Sequence, residues 1–111
     1  MLAAAVPNAG RTGIFWEPEL HRLKGDLLLR RDPAAIAEVE NSYRAALERA
    51  RLRETKSLEL RAATSLARLW RDQGKRSEAR DALAPVYGWF TEGFGTPVLR
   101  EAKALLDELS S

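Results

Sequence analysis

The chain has one histidine, His21, and it stands four residues after Glu17. On a helix that spacing puts an imidazole and a carboxylate on one face, where the two can share a metal ion. A stable site needs at least two more ligands, but the chain has no cysteine and no further ligand lies close in the sequence. We therefore expect His21 on the surface or half-buried, and we predict no metal site.

The candidate nucleophiles are the hydroxyls of Ser57, Thr64 and Ser65. A hydroxyl nucleophile needs a neighbouring base, and a single histidine makes such a pair improbable. Residues 93–95 read Gly-Phe-Gly but lack the preceding strand and the third glycine of a dinucleotide site. A phosphate-binding loop of the Gly-x-x-x-x-Gly-Lys-Ser/Thr type is also missing from the sequence. These observations predict no catalytic residues, no cofactor and a function other than catalysis.

The charges are nearly balanced, with 18 Lys and Arg against 16 Asp and Glu. Basic and acidic residues alternate, as in residues 48–54, Glu-Arg-Ala-Arg-Leu-Arg-Glu. This pattern is typical of solvated helix surface with pairs four residues apart, so we expect no nucleic-acid partner. The sequence has no apolar run of the ~18 residues that a membrane span needs, and its first residues make a poor signal peptide. We expect no membrane association and a cytoplasmic location.

Apolar residues recur at helical spacing along most of the chain, which predicts an all-α fold of five helices. The first is expected over residues 18–30, with Pro18 in its first turn and a stripe of Leu20, Leu23, Leu27 and Leu28. The second is expected to open at Asp32-Pro33, and the third over residues 57–72 with Gly74 just beyond its end. The fourth is expected from Ser77, with a kink or break at Pro85, and the fifth from Thr96-Pro97 to about Leu109.

The helices fall into two similar units. Moving the third helix back by 42 residues places Ala62 on Leu20, Ala67 on Gly25, Leu69 on Leu27 and Trp70 on Leu28. Moving the fourth back by 40 aligns it with the second, so the units differ only in their turns. A small residue at position 25 or 67 lets the second helix of each hairpin approach closely. This self-similarity predicts stacked helix hairpins.

These residues resemble the tetratricopeptide repeat. The second unit carries the pattern in Leu66-Ala67, Trp70, Gly74, Ala79, Leu83 and Val86. The first unit matches through Gly25, Leu28, Tyr43 and Ala46-Leu47 but departs at Lys24 and in its longer turn. The spacing of about 42 residues exceeds the usual ~34. The resemblance implies an α-α superhelix whose concave groove, lined by the first helix of each hairpin, binds a peptide or helix.

A closer resemblance covers about residues 16–109, notably residues 19–29, 61–74, 83–94 and 101–109. These stretches are similar to the C-terminal repeat region of large bacterial proteins that join an adenylate or guanylate cyclase domain to a predicted ATPase. The resemblance implies a signalling context, and it carries over no cyclase or ATPase residue. One alternative follows from it: a regulatory C-terminal segment or relic of such a protein, without activity of its own.

The expected domain organisation is a remnant of a preceding repeat over residues 1–16 and a tetratricopeptide-like domain over residues 17–111. That domain would comprise hairpins over residues 17–54 and 55–91 and a capping helix over residues 96–110. The main hypothesis is a protein-interaction module that associates with itself. Candidate groove residues are Arg22, Asp26, Arg61, Ser65, Arg68 and Asp72.

Phe15 and Trp16 stand where an upstream repeat should pack, and we expect apolar surface around them that a homodimer would cover. Large apolar residues are usually buried, so burial remains the first expectation for these two residues and for Trp89. If any of the three is exposed, it would serve as a partner-binding anchor.

Overall fold

The computed structural model describes residues 6–93 and 95–110, with side chains from residue 17 onward. This part of the chain is all-α, with five helices and no strand. The helices are α1 (Val6–Arg31), α2 (Ile36–Leu52), α3 (Lys56–Asp72), α4 (Arg76–Trp89) and α5 (Pro97–Leu109). No helix in the described residues is both long and apolar enough to cross a membrane.

The helices pack as two antiparallel pairs and a fifth helix. α1 packs against α2, and α3 packs against α4. α3 also contacts α1, α2 and α5, whereas α5 rests on both α3 and α4. α1, α3 and α5 therefore form one row of helices, and α2 and α4 lie behind it. The core between them is built mainly from Val39, Leu47, Leu60, Leu66, Leu83, Leu99 and Leu105.

The apolar residues that recur at helical spacing on α2 to α5 mostly face this core. On α2, Val39, Tyr43 and Ala46 are buried, and on α5 Leu99 and Leu109 are buried. α1 differs, because its predicted stripe is divided between two faces. Leu28 packs against the core, whereas Leu20, Leu23 and Leu27 are exposed.

The start predicted for the first helix was wrong. α1 begins at Val6 rather than at Pro18, so the expected boundary between residues 1–16 and 17–111 falls inside a helix. A proline inside a helix removes one backbone hydrogen bond and crowds the preceding turn. The ring of Pro18 is fully buried, and this burial offsets part of the cost. Periodicity alone does not reveal that compensation.

Two other helix starts also differ from prediction. α2 begins at Ile36, because Asp32 Oδ1 accepts a hydrogen bond from the backbone N–H of Ala34 at 3.1 Å and so closes a turn instead of capping a helix. α4 begins at Arg76, which places Ser77 inside the helix. The helix then continues through Pro85 to Trp89, so no break occurs there. Thr96 does precede α5, with proline in the first turn as predicted.

The turns after α2 and α3 share one geometry. Gly74 has φ +81° and Glu54 has φ +56°, so the backbone enters the left-handed region just after the C-terminal end of each helix. In both turns the next residue donates back across five residues, Lys75 N–H to Trp70 O and Thr55 N–H to Ala50 O. This is the Schellman arrangement, which satisfies the last carbonyls of a helix. The prediction for Gly74 is confirmed, and Glu54 adopts a conformation that favours glycine.

Gly25 sets the distance between α1 and α2. A Cβ atom built there would lie 2.7 Å and 2.9 Å from two ring carbons of Tyr43 and 3.3 Å from Cβ of Ser42. Tyr43 is buried and its hydroxyl donates to Asp26, so the ring cannot easily move aside. The close approach predicted for a small residue at position 25 is confirmed.

We expect Gly25→Ala to lower the free energy of unfolding by roughly 1–2 kcal/mol, because the overlap with Tyr43 outweighs the ~1 kcal/mol helix preference of alanine. Gly88→Ala is the matched control, since nothing lies within 4 Å of a Cβ at that helical position. It should raise stability by about 0.5 kcal/mol. Urea unfolding of both variants measures the difference, and equal effects would contradict the packing described here.

Candidate functional site

A shallow groove runs along the row of α1, α3 and α5. Two adjoining cavities of about 180 Å³ and 200 Å³ lie in it, and Ser65 and Arg68 line both. The first cavity extends toward α5, where Val98 and Glu101 form its wall, and the second reaches Tyr43 of α2. The groove contains the six side chains singled out from the sequence: Arg22, Asp26, Arg61, Ser65, Arg68 and Asp72.

At one end of the groove Glu19 is held between two arginines. Arg22 Nη2 and Nε donate to its two carboxylate oxygens at 2.7 Å and 3.1 Å, and Arg61 Nη1 donates from α3 at 2.6 Å. Burial by itself would raise the pKa of Glu19, but the hydrogen bonds and positive charges of Arg22 and Arg61 outweigh it and lower the pKa. Glu19 is buried, and its carboxylate joins α1 to α3.

The network continues from Arg22 to α2. Arg22 Nη1 donates to Asp26 Oδ2 at 3.0 Å, and the hydroxyl of Tyr43 donates to Asp26 Oδ1. Burial of the ring and the bond to the Asp26 carboxylate raise the pKa of Tyr43 far above its ordinary value. The phenol therefore stays a neutral hydrogen-bond donor at any physiological pH, and this fixes the position of Asp26 at the groove wall.

Ion pairs also join α3 to α5 along the opposite side. Arg68 pairs with Glu101, and Arg71 Nη1 donates to Glu108 Oε1 at 3.0 Å. Arg71 Nε also lies 3.0 Å from Asp72 Oδ1, so the Asp72 carboxylate already has an ion-pair partner. The charges of the groove are thus largely paired with one another.

Three arginines of the groove, Arg30, Arg61 and Arg68, keep a substantial part of their side chains in solvent. The side chains of Arg61 and Arg68 are 42% and 40% exposed, although each is also in an ion pair. The side chain of Arg22, at 18% exposure, is less accessible, and Ser65 is a buried residue between the two cavities. A guanidinium has five N–H donors, so Arg61 and Arg68 retain donors for a carboxylate or carbonyl that enters the groove.

The remaining candidates lie apart from this groove or outside the described residues. His21 Nε2 is 3.9 Å from Glu17, and that carboxylate also pairs with Arg49 and Arg53. In the described part of the chain no group of three or more His, Cys, Asp or Glu side chains could hold a metal. The side chains of Phe15 and Trp16 lie outside the described residues.

Trp89 corrects another expectation, because it is exposed rather than buried. Lys56 Nζ lies 5.6 Å from the centroid of its ring. Trp89 ends α4, where the chain leaves the helix at Phe90, so its ring extends beyond the core.

Sequence reasoning missed Glu19, Tyr43 and Glu101 as members of the site. For Glu19 a signal existed, because Glu19 and Arg61 are 42 residues apart, the spacing that the sequence predicts for a repeat. Equivalent positions on neighbouring stacked helices lie close together, so opposite charges at that spacing predict a bridge. No comparable spacing identified Tyr43 or Glu101, which come from the second helix and the terminal helix.

We expect Glu19→Gln to lower the free energy of unfolding by about 1–2 kcal/mol at pH 7, because two arginines lose a buried anion. Because the pKa of Glu19 is lower in the folded protein than in the unfolded chain, its charge stabilises the fold. This stabilisation is complete above the unfolded pKa of about 4.3, and it is lost as the pH falls through the lower pKa of the folded protein. The gap between wild type and variant should therefore narrow as the pH falls below about 4.3.

Urea unfolding at pH 7, 5 and 3 measures this gap. Glu48→Gln is the control, since Glu48 is exposed on α2 and has no ion pair among the described residues. A gap for Glu19→Gln that stays constant with pH would contradict the assigned role of its charge.

The comparisons with known proteins leave the groove to be interpreted from its own geometry. No family model, no curated protein and no solved structure matches the chain.

Proposed function

We propose that this protein is a non-catalytic interaction scaffold built from tetratricopeptide-like helix hairpins, and that its groove binds an extended peptide segment of a protein partner. The observation that carries the proposal is the groove itself. The side chains of α1 and α3 that the sequence predicts to line a groove lie along one surface, and α5 completes this surface. Stacked hairpins bind partners on such a surface.

The repeat is supported by equivalent features 42 residues apart. Gly25 and Ala67 are both small and buried, and each stands on the first helix of its hairpin. Leu28 and Trp70 are both half-buried against the core. These features favour two related hairpins that stack as in an α-α superhelix, with α5 as a capping helix.

The partner's chemistry follows from the donors that face the groove. Arg61 and Arg68 stand on one face of α3, seven residues apart, which corresponds to about 10 Å along the helix. An extended peptide covers that distance with about three residues. A segment with Asp or Glu side chains at that separation can accept from both guanidinium groups, while its backbone passes over Ser65.

Selection from a random 12-residue peptide library on the immobilised chain tests this proposal. We expect the recovered peptides to be enriched in Asp and Glu. Their affinity, measured by fluorescence anisotropy, should fall roughly tenfold in Arg61→Ala, because a charge-assisted hydrogen bond is lost. Glu19 keeps its contacts with Arg22 in that variant, and circular dichroism checks that the fold is retained.

The control is Arg100→Ala, which removes an exposed arginine of α5 that does not line either cavity. This variant should bind the peptides as tightly as wild type. Recovery of no enriched peptide, or equal losses in Arg61→Ala and Arg100→Ala, would overturn the proposal.

A further inference from the structure

Ser65 is a buried polar residue whose hydroxyl has no partner within the fold. The residue is 4% exposed, and in the part of the chain that the structure describes its side chain makes no hydrogen bond. Thr64, its neighbour on α3, is buried to a similar degree but donates to the carbonyl of Leu60 at 2.7 Å. Buried hydroxyls are nearly always hydrogen-bonded, so the free hydroxyl of Ser65 points to a partner outside the chain.

The hydroxyl of Ser65 faces the groove. Ser65 lines both cavities where they adjoin, and its oxygen meets their open space instead of being enclosed by the core. Arg61 and Arg68 stand four residues before it and three residues after it, on the same face of α3. These separations correspond to about 6 Å and about 4.5 Å along the helix. Ser65 therefore lies on the floor of the groove, between the two arginines to which the proposed function assigns acidic side chains.

The groove offers many donors but few free acceptors. Its arginines carry N–H donors and no acceptor. Three carboxylates line the two cavities, and each already accepts from a neighbouring side chain: Asp26 from Arg22 and Tyr43, Glu101 from Arg68, and Asp72 from Arg71. The Ser65 oxygen is an uncharged acceptor without such a bond.

A peptide main chain brings both C=O and N–H groups into the groove, and both kinds need partners once water is displaced. The C=O groups can accept from the exposed guanidinium groups of Arg61 and Arg68. The N–H groups need an acceptor on the groove floor. A hydroxyl can accept there, because its own hydrogen rotates out of the way.

We propose that Ser65 sets the register of the bound peptide, because its hydroxyl oxygen accepts a hydrogen bond from one main-chain N–H of the segment. This inference rests on the proposed function, since it concerns the same groove and the same peptide. The N–H belongs to a residue between the two acidic residues that face Arg61 and Arg68. The arginines thus select acidic side chains, and Ser65 selects where along the segment they stand. Proline has no N–H and is excluded from the residue that faces Ser65.

Ser65→Ala removes this hydrogen bond without removing one from the fold. The probe is the tightest peptide recovered from the library, with both of its ends blocked. Its affinity should fall roughly three- to tenfold, the effect of one lost hydrogen bond. Urea unfolding of the free variant should show unchanged or slightly raised stability, because no internal bond is lost and alanine favours a helix.

Ser42→Ala is the matched control for this variant. Ser42 is also a buried serine, but it stands on α2 and lines neither cavity. The variant should bind the same peptide as tightly as wild type.

An ester scan of the peptide identifies the donor. Each variant peptide has one main-chain N–H replaced by an ester oxygen, so that one donor is lost at a time. We expect one position between the two acidic residues at which the ester weakens binding to wild type about threefold or more. The same ester should not weaken binding to Ser65→Ala further, because its partner is already absent. Proline should be missing from that position among the recovered peptides.

Three results would overturn this inference while the proposed function stands: equal affinity of the peptide for wild type and Ser65→Ala, a loss of stability in Ser65→Ala, or an ester scan in which no position depends on Ser65. Failure to recover any enriched peptide is a different result. It would overturn the proposed function, and the role of Ser65 with it.

Discussion

The structure depends on the burial of α3 on almost every side. This helix contacts each of the other four, and it does so with small residues over much of its length. Ala62, Ala63 and Ala67 are fully buried, so neighbouring helices approach α3 closely. Three polar or charged residues of the same helix, Glu59, Thr64 and Ser65, are also buried, and Thr64 donates its hydroxyl hydrogen to the carbonyl of Leu60 at 2.7 Å. Because the Thr64 hydroxyl has a hydrogen-bond partner within its own helix, this polar residue can be buried in the centre of the stack.

The groove is a consequence of this arrangement. Because α3 lies between α1 and α5, each neighbour is fixed by packing on one side and by ion pairs on the other. Glu19 with Arg61 and Glu101 with Arg68 join adjacent helices of the row. The pair of Glu101 with Arg68 is exposed and adds little to stability, but both pairs define where the guanidinium groups stand. A binding surface built on helices in this way is held more firmly than one built on loops.

Much of this fold follows from the sequence. Periodicity identifies five helices, Gly74 ends α3 in the left-handed region, and Gly25 marks the point where α1 and α2 approach most closely. The starts of α1, α2 and α4 could not be predicted in the same way. Pro18 normally begins a helix, and only the burial of its ring in the tertiary structure explains its place inside one. Asp32 is suited to cap a helix or a turn, and the local sequence does not decide between the two.

For the site, helical register predicted which side chains of α1 and α3 share a surface, because residues three, four and seven apart lie on one face. It could not predict which of their charges are already paired. Glu19, Glu101 and Tyr43 belong to other turns or other helices, and only packing brings them to the arginines. Register also could not distinguish Leu28, which packs against the core, from the exposed leucines of the predicted stripe. The buried and exposed apolar faces of α1 lie next to each other, so all four leucines fit one stripe.

α3 is the centre of one cooperative stack, and native-state amide hydrogen exchange tests this most directly. If α3 holds the stack together, its amides exchange only by global unfolding and are the most protected of the chain, while those of α5 exchange through smaller openings. Protection of α3 that is lower than that of α2 or α4 would contradict it, because the helix would then open without disrupting its neighbours.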